Sequence, residues 1–404
     1  MEVTIERILP GGLGLAHAEG KTIMVPLAAP GDRLRIRIER QKGNVAFASL
    51  VEVLEPSPMR VDPPCPYFGR CGGCDFQQLN YPAQLEAKAE IIRDCLRRIG
   101  HLDVVPPFEV VASPNPWHYR ARAQWQYDYV SSHLGYFEAG SRRVCDVAEC
   151  AVLVPELQTA LDSLRTRIQQ GGLPDNVRDF RALAEDDRVS LSPDPDEANP
   201  PEVERSIGGE SYHLDAESFF QTNVDLVPQL IEAALAGVQG ETAVELYCGV
   251  GLFTVALARR FTRVTAIESD LAAAAYAQKN LSLAGLSNTA IVNEDVARWL
   301  AKNLDRADSS ALSGDPKRRS RQVGTALQTD FLLLDPPRTG AESRVIDGIL
   351  QIEPKRICYV SCDPATLARD LRKLISGGYS LDSLIAFDMF PQTHHVETVA
   401  QLSG

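Results

Sequence analysis

Among nine cysteines in a chain of 404 residues, one stands where a nucleophile would. Cys362 lies in Val360-Ser361-Cys362-Asp363-Pro364, at the expected end of a strand, and Ala365-Thr366-Leu367-Ala368-Arg369 then opens a helix. A thiol near a helix N-terminus gains thiolate character from the helix dipole. Cys95, on an amphipathic helix, and Cys248 and Cys358, in or beside strands, suit packing instead, as free cysteines usually do. Near the C-terminus, Phe390-Pro391-Gln392-Thr393-His394-His395-Val396-Glu397-Thr398 sets a lone acid among apolar strand residues. A half-buried carboxylate there is a proton acceptor. The adjacent histidines do not read as a metal pair, because neighbours in an extended segment point to opposite faces.

A second constellation reads as a cofactor site. Ala243-Val244-Glu245-Leu246-Tyr247-Cys248-Gly249-Val250-Gly251-Leu252-Phe253-Thr254 is a strand, a Gly-x-Gly turn and a helix start, with glycines that let a ligand approach the backbone. The next strand ends at Glu268, placed to accept from ribose hydroxyls. Nicotinamide dehydrogenases share this layout. Here, however, Thr254 replaces the third glycine, which serves packing beneath a pyrophosphate. S-adenosylmethionine has no pyrophosphate. Leu334-Asp335-Pro336-Pro337-Arg338 adds a carboxylate at another strand end, held by two prolines. A thiol, one carboxylate and a methyl sulfonium imply one chemistry. Thiolate addition at carbon 6 of a pyrimidine activates carbon 5 toward the methyl group, and a base then removes the carbon 5 proton. Methylation of an exocyclic amine needs neither group, and such enzymes follow Pro-Pro with an aromatic where this chain has Arg338.

Three segments must position these residues. Residues 1–55 read as short strands broken by turns, in which Arg33-Leu34-Arg35-Ile36-Arg37-Ile38 alternates as one half-buried strand of a small β-barrel. A basic face on such a barrel is how oligonucleotide-binding barrels are built. Residues 56–214 form a central α+β region: a Cys/Pro/Gly-rich loop, an amphipathic helix over 82–99, aromatic-rich β-structure over 108–150 and a helix over 155–169. From 215 to 404 strands and helices alternate as in a doubly wound, Rossmann-like α/β sheet. Its strands are expected near 243–248, 264–268, 289–293, 330–335 and 356–361, with a terminal antiparallel pair near 383–389 and 396–401. The stretches around 192–201 and 306–328 read as loops.

The net charge of −13 argues against a uniformly polyanion-binding surface. Yet Pro174 to Glu217 holds thirteen acidic against four basic residues, so elsewhere the charges nearly balance and arginines cluster locally. No apolar run could span a bilayer and no secretory signal precedes the fold, so the expectation is a cytoplasmic protein with no membrane partner. In that compartment, Cys65-x5-Cys71-Gly72-Gly73-Cys74 with a distant fourth cysteine suits a metal site. Spacing alone leaves zinc and iron–sulfur both open.

Taken together, Ser218-Phe219-Phe220-Gln221-Thr222-Asn223, Glu245-Leu246-Tyr247-Cys248-Gly249, Leu334-Asp335-Pro336-Pro337-Arg338, Ser361-Cys362-Asp363-Pro364-Ala365-Thr366-Leu367-Ala368-Arg369-Asp370-Leu371 and His395-Val396-Glu397 resemble the RNA uracil-C5 methyltransferases. The resemblance spans essentially the whole chain. It implies S-adenosylmethionine contacts at Gln221, Tyr247, Gly249, Glu268, Asp295 and Asp335, Cys362 as nucleophile and Glu397 as base. A polar contact that some members make at the position of Leu252 is not carried over. The barrel resembles a TRAM domain. The resemblance further implies a [4Fe–4S] cluster on Cys65, Cys71, Cys74 and Cys150, with Cys145 the rival fourth ligand. The expected protein is a monomer acting on 23S ribosomal RNA, with transfer RNA as the alternative substrate and a non-catalytic RNA-binding protein as the alternative of another class.

Overall fold

The computed structural model describes residues 1–404 except 174, 175, 196, 198–200 and 312–328, and omits the side chains of 305–311. Strands β1 (Glu2–Thr4), β2 (Arg7–Ile8), β3 (Gly14–Ala18), β4 (Lys21–Val25), β5 (Arg33–Lys42) and β6 (Val45–Glu55) form a six-stranded sheet in the order β1-β5-β6-β4-β3-β2. Its core holds Ile5, Ile23, Val25, Leu34 and Ile36. The alternation along β5 does bury Leu34 and Ile36 and expose the arginines. Those arginines are not free, however. Arg33 pairs with Glu2 and Glu55, Arg35 with Glu2 and Glu52, and Arg37 with Glu39. The basic face expected from one strand is neutralised by carboxylates of β1 and β6 and by Glu39 of β5 itself.

Helix α1 (Tyr81–Arg98) is capped by Asn80, whose side chain accepts from Ala83 N at 3.0 Å, with Pro82 in the first turn. Beyond β7 (Val110–Val111) comes a five-stranded antiparallel sheet. It orders β10 (Val144–Asp146), β9 (His133–Phe137), β8 (Arg122–Asp128), β11 (Asp179–Glu185) and β12 (Arg188–Ser192). Helix α2 (Pro155–Gln169) buries Leu157, Leu161 and Leu164 against Trp125 and Phe180 of this sheet. A hairpin, β13 (Val203–Ile207) and β14 (Glu210–Leu214), follows.

The remaining elements are α3 (Val227–Ala234), β15 (Gly240–Leu246), α4 (Leu252–Ala258), β16 (Phe261–Glu268), α5 (Leu271–Leu283), β17 (Thr289–Asn293), α6 (Val296–Ala311), β18 (Phe331–Leu334), α7 (Ser343–Ile352), β19 (Arg356–Ser361), α8 (Pro364–Ser376), β20 (Ser380–Phe387) and β21 (Glu397–Ser403). The large sheet runs β17-β16-β15-β18-β19-β21-β20-β7. Strands β15 to β19 are parallel, and β21 lies antiparallel between β19 and β20. This is the Rossmann-like α/β fold expected from the alternation of strand and helix.

One core joins Leu246, Leu334 and Tyr359 of the sheet to Ile92 and Leu96 of α1. The other joins Leu333, Val360 and Val399 to Tyr212 and Leu214 of the hairpin. The segment between the small sheet and residue 215 therefore contributes to three cores, its own and both faces of the large sheet. Residues 306–311, expected as loop, extend α6, because polar residues propagate a helix already started at Asp295. The rest of that expected loop, 312–328, lies outside the described residues. Ser192, expected in the loop of 192–201, ends β12 instead.

Candidate active site

Adjacent parallel strands end in register, and this brings residues remote in sequence to one edge. Leu246 pairs with Ile267 on one side and Leu334 on the other, so Tyr247, Glu268 and Asp335 emerge together. Asp335 N donates to Leu246 O at 3.4 Å. Tyr247 turns sharply with φ 67°, uncommon for a residue with a side chain, while its N and that of Cys248 both donate to Ile267 O. Gly249 has φ 53° and faces open space where a Cβ would stand. At Gly251, with φ 91°, a Cβ would lie 3.3 Å from Ala277, so its missing side chain lets α4 and α5 approach. Glu268 accepts from Gly249 N at 2.9 Å and Asp270 N at 2.8 Å. Its carboxylate is thereby held at the rim of the turn. Asp295 caps α6 by accepting from Arg298 N at 2.9 Å. Gln221 is buried between β14 and α3, where Ala121 N donates to the neighbouring Thr222 O at 2.9 Å.

Thr254, noticed only as a missing glycine, donates to Glu245 Oε2 at 2.6 Å. Burial pushes that carboxyl up to about 8, and burial pushes Asp335 up to about 7. Glu268 accepts two backbone donors at the rim, whereas Glu245 is buried within the strand and Asp335 is half-buried at the strand end.

Cys362 and Glu397 meet through strand pairing. The antiparallel ladder of β19 and β21 ends at Ser361 opposite Thr398, so Cys362 and Glu397 each adjoin its last pair, and the Glu397 carboxylate acts on the Cys362 thiol. Burial first, then the carboxylates of Glu397 and Asp335, pushes the Cys362 thiol up to about 12, opposed by Arg338. The expected lowering by the helix dipole is therefore overturned. Asp363 itself caps α8, accepting from Thr366 N at 2.8 Å, and Cys362 lies one residue ahead of that cap. Glu397 is likewise raised well above the usual carboxylate range, by burial and then by Asp335. Arg338 opposes that rise, as it does for Cys362.

The loop behind Arg338 is anchored by two residues of the Cys362 helix. Asp370 accepts from Ala341 N at 3.0 Å and Tyr359 Oη at 2.7 Å, and Arg369 donates to the carbonyls of Thr339 and Ala341. The histidines do not point apart, because residues 393–394 form a bend rather than strand. Their rings lie with centroids 4.1 Å apart, and His394 is bound to Asp75 through its Nδ1. Burial, then His394 and Arg338, lowers His395 to about 3, which keeps its ring neutral.

Cys65, Cys71, Cys74 and Cys150 line one small cavity together with Tyr136, Glu149 and Arg120. Cys145 is buried on β10 and accepts from Arg70 Nε at 3.2 Å. Among the described residues, no three His, Cys, Asp or Glu side chains converge on a point that would hold a single metal ion. Arg120 Nε is buried at the cavity without a hydrogen-bond partner among the described residues.

A Gly-x-Gly turn facing open space, carboxylates at three parallel strand ends and the inserted antiparallel β21 define an S-adenosylmethionine-dependent methyltransferase of the Rossmann-like class. A family model described as tRNA (Uracil-5-)-methyltransferase matches residues 203–403, and one described as the tRNA (uracil(54)-C(5))-methyltransferase TRAM domain matches 1–59. The 23S rRNA (uracil(1939)-C(5))-methyltransferase RlmD of Shewanella amazonensis is 33% identical, the alignment covering 98% of this chain and 94% of that protein. Its namesake in Vibrio parahaemolyticus is 30% identical over 98% and 94%. A solved structure, the Pyrococcus abyssi tRNA (uracil-54, C5)-methyltransferase in complex with S-adenosyl-L-homocysteine, superimposes with a TM-score of 0.74 at 26% identity, covering 99% of this chain and 100% of that one. The chain belongs to the RNA uracil-C5 methyltransferase family, with an N-terminal TRAM domain. No helix among the described residues is long and apolar enough to cross a membrane.

Proposed function

We propose that the protein methylates carbon 5 of one uridine in 23S ribosomal RNA, acting as a cytoplasmic monomer with Cys362 as nucleophile and Glu397 as base. The observation that supports this reading is the end of the β19–β21 ladder, whose last pair, Ser361 with Thr398, adjoins Cys362 on one strand and Glu397 on the other, with Asp335 acting on both. Bound S-adenosylmethionine supplies the methyl group. Tyr247, Gly249, Glu268 and Asp335 at the strand ends hold it, with Asp295 and Gln221 as the remaining contacts. Cys362 Sγ adds to carbon 6 of the uracil, carbon 5 takes the methyl group, and Glu397 removes the carbon 5 proton. The electrons of that C–H bond restore the double bond and expel Cys362 as thiolate. The target base must leave its stack to reach Cys362 at the strand end, at a cost of a few kcal/mol.

Ribosomal RNA is favoured because two bacterial relatives that align over nearly the full chain carry that substrate in their names. Transfer RNA is the second reading, supported by the Pyrococcus structure. The cysteine cavity is proposed to hold a [4Fe–4S] cluster on Cys65, Cys71, Cys74 and Cys150. Four cysteines line one cavity rather than closing on a point, and the unpartnered Nε of the Arg120 guanidinium there suits an anionic thiolate-bound cluster.

The test is RNA containing 5-fluorouridine, whose carbon 5 offers no removable proton. Wild type is expected to form a covalent adduct through Cys362 and Cys362→Ala none. Methylation of uridine by Cys362→Ala at the wild-type rate would end the covalent reading. Mapping 5-methyluridine in 23S and transfer RNA from a deletion strain separates the two substrates.

A further inference from the structure

The turn that delivers Glu397 is held almost entirely from the far end of the chain. Between β20 and β21, Phe390 O accepts from Lys88 Nζ at 3.0 Å and Pro391 O accepts from Tyr119 Oη at 2.9 Å. Gln392, at φ 68°, occupies a left-handed conformation that its side chain disfavours. It is fixed there on both sides. Its carbonyl accepts from Asp75 N and Phe76 N at 3.1 and 3.0 Å, and its N donates to Gln84 Oε1 at 2.9 Å. Two residues on, His394 N donates to Asp75 Oδ1 at 2.8 Å while the ring binds Asp75 Oδ2.

Asp75 directly follows Cys74, so one residue joins the cysteine loop to the segment that ends in Glu397. The small sheet closes on the same point. A Cβ on Gly12 would lie 2.9 Å from Asp75 Oδ2 and 3.3 Å from His394 Cβ. Asp75 is nonetheless partly open to solvent, with its side chain 33% exposed. Nothing in the packing of a core requires it. Its carboxylate serves two donors of a single residue, 319 positions away.

We propose that Asp75 is a positioning residue for Glu397. Through His394 and Gln392 it transmits the placement of the cysteine loop to the general base. This rests on the proposed covalent chemistry. Its effect falls on one step, the removal of the carbon 5 proton that forms the carbon 5–carbon 6 double bond and expels the Cys362 thiolate. Addition of Cys362 and methyl transfer precede that step and do not use Glu397 as base.

The experiment compares wild type, Asp75→Ala and Asp75→Asn in the cluster-loaded full chain, on uridine RNA and on 5-fluorouridine RNA, with iron content measured alongside. Asp75→Ala is expected to keep its iron and to trap 5-fluorouridine RNA at the wild-type rate. On uridine RNA it should accumulate a methylated covalent adduct, with kcat reduced on the order of 10- to 100-fold and KM unchanged. Asp75→Asn, which keeps the acceptor for His394 N, should restore most of the lost kcat. Turnover of uridine RNA by Asp75→Ala at the wild-type kcat overturns the inference. So does a parallel loss of iron, trapping and turnover, which would mark Asp75 as merely structural. Failure of wild type itself to trap 5-fluorouridine RNA instead overturns the underlying chemistry, and this inference with it.

Discussion

Cys362 and Glu397 are both held in their protonated forms in the free protein, the thiol up to about 12 and the carboxyl well above its usual range. A buried site with two carboxyls and one thiol favours the neutral state of each, because no two negative charges can settle there without water. The sulfonium of S-adenosylmethionine brings a positive charge to this edge and relieves that constraint. Alkylation of Cys362 by iodoacetamide, followed by peptide mass spectrometry, should therefore be slow at neutral pH and accelerate as pH rises toward 12. Adding S-adenosylmethionine should shift the onset to lower pH. Arg338 is the nearby cation that already acts in this direction for both groups, so Arg338→Met should slow alkylation at a given pH. An unchanged alkylation profile in that variant would remove Arg338 from the electrostatics of the site.

At the scale of elements, β15 and α4 are linked by the buried Glu245–Thr254 hydrogen bond. The Glu245 carboxyl is raised from 4.5 to about 8 by burial. A carboxyl raised on folding contributes stability fully below its unfolded value and loses it as pH rises through the folded one. The melting temperature should consequently fall between about pH 5 and 8, and Glu245→Gln should flatten that fall, as thermal melts across this range would record. Helix α1 is tied to the β20–β21 turn by Lys88 and Asp388, both fully buried. Removing one member of a buried pair strands the other, so Lys88→Met is expected to cost about 3–5 kcal/mol in denaturant titration. The same change releases Phe390 O, so its variant should also lose turnover.

At the scale of the molecule, helix α1, the cysteine loop and the segment ahead of β8 converge on the Glu397 turn, while the charged exterior of the small sheet is self-neutralised. Each arginine that meets a phosphate would contribute about 0.7 to the slope of log affinity against log salt on single-stranded RNA. Because Arg33 and Arg35 already face Glu2, Glu52 and Glu55, the double variant Arg33→Gln with Arg35→Gln should change the slope by much less than two such contributions. Binding titrations over a range of KCl concentrations measure this directly. The alternation along β5 could be read in the chain, but it could not reveal the acids, because those come from β1 and β6.

That contrast recurs throughout. The strand–turn–helix at Gly249, the cap at Asp363, the prolines after Asp335 and the alternation of strand and helix are local signals, written in adjacent residues, and they determined the fold class and the candidate reactive groups. Cys362 reads as a candidate nucleophile and Glu397 as a candidate base from their neighbours. What tertiary structure decided is everything that depends on who lies across from whom. The pairing of β19 with β21 brings the two catalytic candidates to the same end of adjacent strands, and burial among carboxyls reverses the acidity that a helix terminus promised the thiol. The bend at His394 turns a ring toward Asp75, and helix α1 packs into a core that its place in the chain does not indicate. Pairing and desolvation are properties of residues brought together over hundreds of positions, and no spacing rule along a single chain carries them.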